Sequence, residues 1–552
     1  MTDARPAPEP RPESREAEFP LKKLFPWFML IVVLIQLAAL NGQWWFQRDS
    51  ALYMSLARSL AETGRYAFNY RVHTYALPGL PAMLAPIYAT LGESFLAMNV
   101  LISAYAVGAV GLAYLLFRRV CRDKRHMAVC LVLFGLSYPL LSYSTRILTE
   151  MPFTFFVLLT LYCGTRLVAG KGRSALGWSL AAGAAAFAAL CTRPFGLALF
   201  PALLCAVWLR PESRANWKLR TAQTIAVLGP LALALLAWWL HSTGKGVSDH
   251  ALTYADFFIG SRVTRLAARI LRDVPELLEA IFKSIGGGDL DAAAGAVLSV
   301  PLAVGLTQHV RRGDRLLAPF GLIYLAGVCV GSPGVRYVLP VLPVLLVWLV
   351  EGGSTLGDWL AQRFDWATRR RLARVGYLLV AAALLTHLAR SSEVIYFARS
   401  PDFHRLAAEG RLARYRPLVR WMKDNVGRRE MTLAHEHRLL HYLTRVECWR
   451  FPKSWFGIGA RPLARHLADK EVRFVVLDPT EPHGTRELRR LMRQCPDCFE
   501  HVRDFSELEI YRLQPQRLRE FADLVPRSGR TSRACPQRRI GGRIVAVAVQ
   551  TG

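Results

Sequence analysis

The chain has 552 residues, of which 53% are hydrophobic, and its mean hydropathy is +0.22. A soluble protein of this size needs far fewer apolar residues, so the composition indicates a polytopic membrane protein. The net charge of +29 would suggest nucleic-acid binding in a soluble protein, but the basic residues fall largely in short clusters between apolar runs. Orientation in a membrane explains these clusters better, and we expect no nucleic-acid partner.

The amino-terminal region precedes the first apolar run. Residues 1–20 are rich in Pro, Glu and Arg, and they lack the apolar core and the cleavage site of a signal peptide. We therefore predict a disordered cytoplasmic tail over these residues.

Apolar runs that could cross a membrane follow along the chain to residue 390. A span needs roughly 20 apolar residues to cross about 30 Å of hydrocarbon, and shorter spans persist when they are packed inside a bundle. Eleven spans are predicted, near residues 24–41, 95–117, 127–142, 151–168, 175–191, 195–209, 222–240, 293–309, 316–331, 336–350 and 375–389. Together they predict an α-helical transmembrane domain over residues 21–390.

The connections between the predicted spans alternate in charge. The basic clusters fall on one side of the membrane, at residues 118–125, 166–173, 210–220, 311–315 and 369–371. The intervening connections are short and nearly uncharged. Because basic residues near span ends concentrate on the cytoplasmic side, we expect the uncharged side to face the periplasm or the exterior of a bacterial plasma membrane.

This alternation requires that the apolar stretch 77–91 does not cross the membrane. The stretch contains Pro78, Pro81 and Pro86, which favour an interfacial or re-entrant helix over a full span. Residues 42–94 are then predicted to form one long first outer loop.

The pattern of membrane spans stops after residue 390. Residues 471–478 and 508–513 have the patterns of strands, while residues 461–467 and 485–493 have those of amphipathic helices. These patterns predict a small soluble α/β domain over residues 391–513 on the outer side. Residues 514–552 are rich in Arg and turn-forming residues, and we predict a basic disordered tail there.

Ionisable residues gather on the predicted outer side. Asp49 follows the first span, Glu150 begins the span after the second outer connection, and Arg193 and Arg336 lie in the next connections. An ionisable group at membrane depth is costly, so it indicates a functional site. Arg suits phosphate oxygens, and a carboxylate can accept the proton of an attacking hydroxyl. The set predicts group transfer from a lipid phosphate.

Simpler interpretations of these residues stay open. Asp49 could only cap the helix that begins at Ser50, since Asp is a favoured N-cap. Glu150 could be a solvated end of a span. Arg193 and Arg336 could extend toward lipid head groups.

Other residues give weaker indications of chemistry. His437 and His441 have a spacing that could hold a metal ion, and His435 lies nearby. We interpret this cluster as a solvated helix face, so no cofactor is indicated, although a divalent metal is possible. Cys495 and Cys498 would face an oxidising compartment, where they could form a disulfide.

Several motifs, taken in order, resemble the GT-C glycosyltransferases. They are Asp49 with Tyr53 and Ala57 on the following helix, Gly64-Arg65-Tyr66, the proline-rich stretch 77–86, Leu148-Thr149-Glu150-Met151-Pro152, Arg193-Pro194 and Arg336-Tyr337-Val338-Leu339-Pro340. Within that superfamily, the chain is most similar to the bacterial branch related to protein O-mannosyltransferases and the lipid A aminoarabinose transferase. The resemblance covers about residues 20–390.

The resemblance implies an inverting transfer of a hexose or pentose from a polyprenyl-phosphate-linked donor to a hydroxyl of a lipid, glycan or protein in the cell envelope. Asp49 matches the catalytic carboxylate of the first loop, and Glu150 matches the acidic position of the second. Arg336 and Arg193 would approach the donor phosphate. The expected substrate-binding residues also include Tyr53, Tyr337 and His73.

The chain departs from the mannosyltransferase pattern in two places. Ser50 follows Asp49 where a second acidic residue is usual, and Leu77-Pro78-Gly79 replaces Lys-Pro-Pro. An inactive relative that binds a lipid carrier is therefore one alternative. A secondary transporter or lipid flippase is another, and it predicts internal repeats and ionisable residues near mid-membrane.

Overall fold

The computed structural model describes residues 21–73, 76–209, 217–242, 263–286, 292–331, 333–364, 368–400, 411–452, 455–480 and 482–523. The chain divides into two compact units. The first comprises residues 1–420 together with 438–445, and the second comprises residues 421–437 and 446–552. The predicted amino-terminal tail, residues 1–20, lies outside the described residues.

The first unit is almost entirely helical. Its first half contains α1 (Leu21–Ala39), α2 (Arg48–Thr63), α3 (Gly79–Leu91), α4 (Phe95–Val120), α5 (Lys124–Gly135), α6 (Tyr138–Ser144), α7 (Glu150–Ala169), α8 (Gly172–Thr192) and α9 (Leu199–Trp208). Its second half contains α10 (Trp217–Ser242), α11 (Val263–Gly286), α12 (Ala292–Arg311), α13 (Leu317–Gly331), α14 (Val335–Val338), α15 (Leu342–Arg363) and α16 (Arg369–Arg399). A short hairpin of β1 (Ala67–Phe68) and β2 (Arg71–Val72) lies between α2 and α3.

The helical segments confirm a polytopic α-helical membrane protein. Within the described residues, seven segments are long and apolar enough to cross a membrane: α1, α4, α5 with α6, α7, α8, α15 and α16. The other four predicted spans coincide with α9, α10, α12 and α13. The predicted domain boundary at residue 390 falls within α16, which continues to Arg399 because residues 391–399 contain neither glycine nor proline.

One predicted span has the wrong bounds. The span expected over residues 336–350 is divided between the short helix α14 and the long helix α15, which begins at Leu342 with Pro343 in its first turn. Proline fits the start of a helix but not its interior, because it lacks an N–H donor. The interruption places Arg336 on a separate turn at the end of the bundle.

The structure of the first loop, residues 42–94, agrees with the prediction that residues 77–91 do not cross. Helix α3 has 13 residues, which at 1.5 Å per residue span only about 20 Å. It begins against the end of α8, because a Cβ atom at Gly79 would lie 2.6 Å from the carbonyl oxygen of Cys191. Because residue 79 is a glycine, the first loop can pack directly against the backbone of Cys191 at the end of α8, close in sequence to Arg193.

Replacing Gly79 by Ala is expected to lower the free energy of unfolding by about 1–3 kcal/mol, since the added methyl group overlaps backbone atoms that cannot rotate away. Thermal unfolding of the purified protein measures the change. Gly111→Ala is the matched control, because a Cβ atom there meets no atom within 4 Å. Equal stability of the two variants would contradict the close approach.

The second unit contains a five-stranded sheet in the order β4-β3-β5-β7-β6. Its strands are β3 (Met431–Leu433), β4 (Cys448–Trp449), β5 (Val472–Leu477), β6 (Phe499–Phe505) and β7 (Leu508–Leu513). Strand β3 runs parallel to both β4 and β5, whereas β7 is antiparallel to β5 and β6. The helices that follow the membrane region are α17 (Arg411–Asn425), α18 (His437–Thr444), α19 (Ala460–Asp469), α20 (Pro482–Gln494) and α21 (Pro515–Asp523).

The small carboxy-terminal α/β unit confirms the predicted strands at 471–478 and 508–513. Its apolar core combines strand residues such as Val475 with helix residues such as Leu463 and Leu491, as the amphipathic patterns predict. Cys495 and Cys498 form a disulfide. The tail expected from residue 514 is wrong at its start, because α21 packs Leu518 into the core; residues 524–552 lie outside the described residues.

Candidate active site

Asp49 lies in the first turn of α2, but it does not cap that helix. Gln47 is the N-cap, and the Ser50 hydroxyl both donates to Gln47 O at 2.6 Å and accepts from Gln47 N at 3.1 Å. The same hydroxyl accepts a hydrogen bond from Trp44 Nε1 at 2.9 Å. The interpretation of Asp49 as an N-cap is therefore wrong, and Ser50 stabilises the start of the helix instead.

The Asp49 carboxylate lies between two guanidinium groups. Its Oδ1 atom accepts a hydrogen bond from Arg438 Nη1 at 2.7 Å, and its Oδ2 atom lies 3.6 Å from Arg336 Nη1. The side chain of Asp49 remains 40% exposed. The Asp49 carboxylate is therefore solvent-accessible and has a guanidinium group near each of its oxygens.

Glu150 and Arg193 form a buried ion pair. Glu150 begins α7, and Arg193 is the C-cap that follows α8. Arg193 Nη1 lies 3.1 Å from Glu150 Oε1, and the side chains of Arg193 and Glu150 are 11% and 2% exposed. The interpretation of Glu150 as a solvated span end is therefore wrong. Burial lowers the pKa of Arg193, but the Glu150 carboxylate together with Tyr53, Tyr324 and Tyr337 more than offsets this effect, and the pKa lies above its ordinary value. Arg193 therefore keeps its positive charge although it is buried.

Tyr337 connects Arg193 to Arg336. The Arg193 and Arg336 guanidinium carbons lie 4.8 Å and 4.6 Å from the centre of the Tyr337 ring, within the range of cation–π interaction. Arg336 Nη2 also donates to the Tyr337 hydroxyl at 2.5 Å, and the Tyr324 hydroxyl donates to Tyr337 O at 2.9 Å. Tyr337 therefore couples the buried ion pair to the exposed one.

Tyr53 occupies the space near both carboxylates. Tyr53 is partly buried and interacts electrostatically with Asp49, Glu150 and Arg193. Burial raises the pKa of Tyr53 well above its ordinary value, and the nearby Asp49 carboxylate raises it further. Tyr53 therefore stays a neutral phenol.

These seven side chains, Asp49, Tyr53, Glu150, Arg193, Arg336, Tyr337 and Arg438, are called the Asp49 cluster below. Six of them are among the residues predicted from the sequence, and the structure brings these six together; their roles in binding or catalysis stay predictions. His73, also predicted, accepts a hydrogen bond from Ala76 N at 2.9 Å and lies beside the rings of Tyr66 and Phe68. That contact places His73 in the packing of the first loop.

Arg438 is not among the residues predicted for the site, because residues 391–513 were expected to form a separate domain. Residues 438–445 belong to the first unit, although both flanking segments belong to the second. The interpretation of this stretch as a solvated helix face is wrong: Leu439 and Leu440 are fully buried, and His441 packs its ring 4.7 Å from that of Phe68. The apolar residues on one side of α18 were the available indication that it packs against another surface.

Tyr442 anchors α18 to the first loop. Its side chain is 1% exposed, and its hydroxyl donates to Glu93 Oε1 at 2.5 Å and lies 2.9 Å from the Tyr88 hydroxyl. Arg58 stacks on the Tyr442 ring at 5.0 Å and donates to Tyr442 O at 3.0 Å. Such a buried, hydrogen-bonded aromatic side chain fixes the position of the helix that carries Arg438.

Within the part of the chain that the structure describes, no three His, Cys, Asp or Glu side chains lie close enough to hold a metal ion together. The cations next to Asp49 are guanidinium groups. The site therefore combines one solvent-accessible carboxylate with two guanidinium groups.

One family model matches part of this sequence, and solved structures share most of this fold. Residues 85–243 match the family model of dolichyl-phosphate-mannose-protein mannosyltransferases. No curated protein matches the chain significantly by sequence. The crystal structure of ArnT from Cupriavidus metallidurans bound to undecaprenyl phosphate is 12% identical, with a TM-score of 0.56 over 89% of this chain and 98% of that one.

A second solved structure is similar over the same region. The archaeal oligosaccharyltransferase AglB from Archaeoglobus fulgidus, in complex with an inhibitory peptide and a dolichol-phosphate, is 13% identical, with a TM-score of 0.51 over 83% of this chain and 69% of that one. At such identities the likeness concerns the fold.

Proposed function

Because the chain has the fold of the GT-C glycosyltransferases, we propose that it transfers a sugar from a polyprenyl-phosphate-linked donor to an acceptor hydroxyl. The observation that carries the proposal is the exposed Asp49 carboxylate between Arg336 and Arg438. The similar ArnT and AglB structures contain undecaprenyl phosphate and a dolichol-phosphate, which supports a lipid phosphate as the donor class. A bacterial plasma membrane, with the site facing the periplasm or exterior, agrees with the positions of the basic clusters.

In this proposal Asp49 is the general base. It accepts the proton of the acceptor hydroxyl while the hydroxyl oxygen attacks the anomeric carbon of the donor. The bond from that carbon to the phosphate oxygen breaks, and polyprenyl phosphate leaves with the bonding electrons. A single displacement of this kind inverts the configuration at the anomeric carbon. Arg336, half exposed beside Asp49, stabilises the negative charge that develops on the departing phosphate.

The buried pair has a positioning role in the same proposal. Arg193 is held by Glu150 and stacks on Tyr337, which in turn accepts a hydrogen bond from Arg336. Glu150 therefore acts on the reaction through Arg193, Tyr337 and Arg336, and the partly buried Tyr53 lies near both Asp49 and Glu150. Fixed charges of this kind lower the cost of reorganisation when the phosphate leaves.

Transfer by the purified full-length chain tests the proposal. The protein in detergent is given a labelled sugar either on polyprenyl phosphate or on a nucleotide, together with an envelope extract, and the products are identified by mass spectrometry. We expect labelled envelope lipid, glycan or protein from the polyprenyl-phosphate donor alone. Transfer from the nucleotide sugar would contradict the proposal, as would movement of the donor across a bilayer without transfer or binding of the lipid phosphate without turnover.

We expect chelation of divalent metal ions to leave this transfer unchanged. The positive charge beside Asp49 is supplied by Arg336 and Arg438, and guanidinium groups keep their charge in the presence of a chelator. Initial rates before and after dialysis against EDTA measure the effect. A loss of activity that added Mg²⁺ or Mn²⁺ restores would contradict this prediction.

A further inference from the structure

We infer that Arg438 is a ligand of the donor phosphate, and that it exchanges Asp49 for this phosphate when the donor binds. The inference rests on the proposed function and names a residue that neither the sequence motifs nor the family match covers, since that match ends at residue 243. In this inference, the function of α18 is to position the guanidinium group of Arg438 in the Asp49 cluster.

The ion pair between Arg438 and Asp49 is accessible and can be exchanged. The two side chains are 23% and 40% exposed, and the bond of 2.7 Å involves one nitrogen of Arg438. Among the described residues, Asp49 is the hydrogen-bonding partner of this guanidinium, which carries five N–H groups. Arg438 therefore keeps donors that Asp49 does not use, and an exposed ion pair costs little to replace.

The helix that carries Arg438 is held firmly in place. Tyr442 is anchored by Glu93 and Tyr88, Arg58 binds the Tyr442 carbonyl, and the Tyr70 hydroxyl donates to Arg445 O at 2.5 Å. Since the backbone of residues 438–445 is fixed to the first loop, only the Arg438 side chain has to move. Arg438 can therefore change its partner from Asp49 to the phosphate by a movement of its side chain alone, which is compatible with a preorganised site.

The charges favour the phosphate as the second partner. One carboxylate between two guanidinium groups leaves an excess of positive charge beside Asp49, which attracts an anion. A phosphate offers oxygens in the geometry that a guanidinium binds with two hydrogen bonds. The phosphate gains negative charge as the sugar leaves, so contacts to Arg438 and Arg336 strengthen in the transition state and accelerate the step.

The exchange of partners by Arg438 also accounts for the position of Asp49 between Arg336 and Arg438 before the donor binds. While Arg438 donates to Oδ1, it uses one of the lone pairs of that oxygen and competes with an acceptor hydroxyl for it. When Arg438 binds the donor phosphate instead, Asp49 Oδ1 becomes available to the acceptor hydroxyl beside the anomeric carbon. Donor binding would thus prepare Asp49 for the acceptor, which imposes an order on the two substrates.

Binding of undecaprenyl phosphate to the purified full-length protein tests the inference without requiring transfer. Intrinsic tryptophan fluorescence gives the dissociation constant for wild type and for Arg438→Ala, Arg438→Lys and Arg445→Gln. We expect Arg438→Ala to bind about tenfold more weakly, the loss of one charge-assisted contact, and Arg438→Lys to bind at an intermediate strength. Arg445→Gln, which removes a cation that pairs with Glu62 at 2.8 Å in the same segment, should bind like wild type.

Two further measurements separate a phosphate ligand from a merely structural residue. Added guanidinium ion should restore the affinity of Arg438→Ala, because it supplies the missing group. Asp49→Asn should bind undecaprenyl phosphate several-fold more tightly than wild type, since it frees Arg438, and this gain should vanish in the double variant with Arg438→Ala.

Wild-type affinity in Arg438→Ala and Arg438→Lys would overturn the inference, as would an Asp49→Asn gain that persists without Arg438. If wild type transfers sugar while these variants bind normally, only the role of Arg438 is lost. If folded wild type binds no undecaprenyl phosphate, the proposed function itself fails.

Discussion

Replacing Asp49 by Asn is expected to lower sugar transfer by about 100- to 10,000-fold, the range that general-base catalysis contributes. The amide has the size of the carboxylate but cannot accept the proton of the acceptor hydroxyl at neutral pH. The side chain is 40% exposed and does not cap α2, so the variant should fold like wild type. Initial rates with a polyprenyl-phosphate-linked donor measure the loss.

Glu62→Gln provides the matched control for this prediction. Glu62 lies on the same helix α2, is similarly exposed, and pairs with Arg445 outside the Asp49 cluster. The same carboxylate-to-amide change there should leave transfer unchanged. Undiminished transfer by Asp49→Asn would remove Asp49 as the base, and an equal loss in Glu62→Gln would show that the effect is not specific to the cluster.

Arg193→Ala is expected to lower the free energy of unfolding by about 3–5 kcal/mol, because it leaves the Glu150 carboxylate buried without its partner. Glu150 is 2% exposed, and its Oε2 atom has no hydrogen-bond partner among the described residues. The remaining oxygen therefore depends on Arg193. Thermal or denaturant unfolding in detergent measures the change, and activity should fall as well because Tyr337 loses one of its two stacked guanidinium groups.

Two comparisons test whether the loss of stability in Arg193→Ala arises from the burial of the Glu150 charge. The double variant Glu150→Gln with Arg193→Ala should be more stable than Arg193→Ala, since the amide carries no charge to bury. Glu62→Gln breaks an exposed pair, and its expected cost is below about 1 kcal/mol. A loss of less than about 1 kcal/mol in Arg193→Ala would mean that water reaches Glu150 or that another cation replaces Arg193.

Local patterns in the sequence were sufficient for most of the fold. The strand at residues 471–478 and the proline-containing segment 77–91 could be predicted because alternation, helical period and proline all act within a few residues. The division of residues 336–350 could not be placed in advance. Whether the chain bends near Pro340 or continues as one helix depends on what packs around it, and hydropathy alone does not distinguish the two.

The sequence by itself determined which ionisable residues lie at helix ends: Asp49, Glu150, Arg193 and Arg336 each interrupt or border an apolar run. Only the tertiary structure decided their partners. A solvated Glu150 was compatible with the sequence, but in the structure Glu150 is buried and paired with Arg193. Asp49 binds Arg438, which lies 389 residues further along the chain. Periodicity reports which face of an element is buried, whereas an ion pair between distant segments depends on how the elements pack in space, which no local pattern encodes.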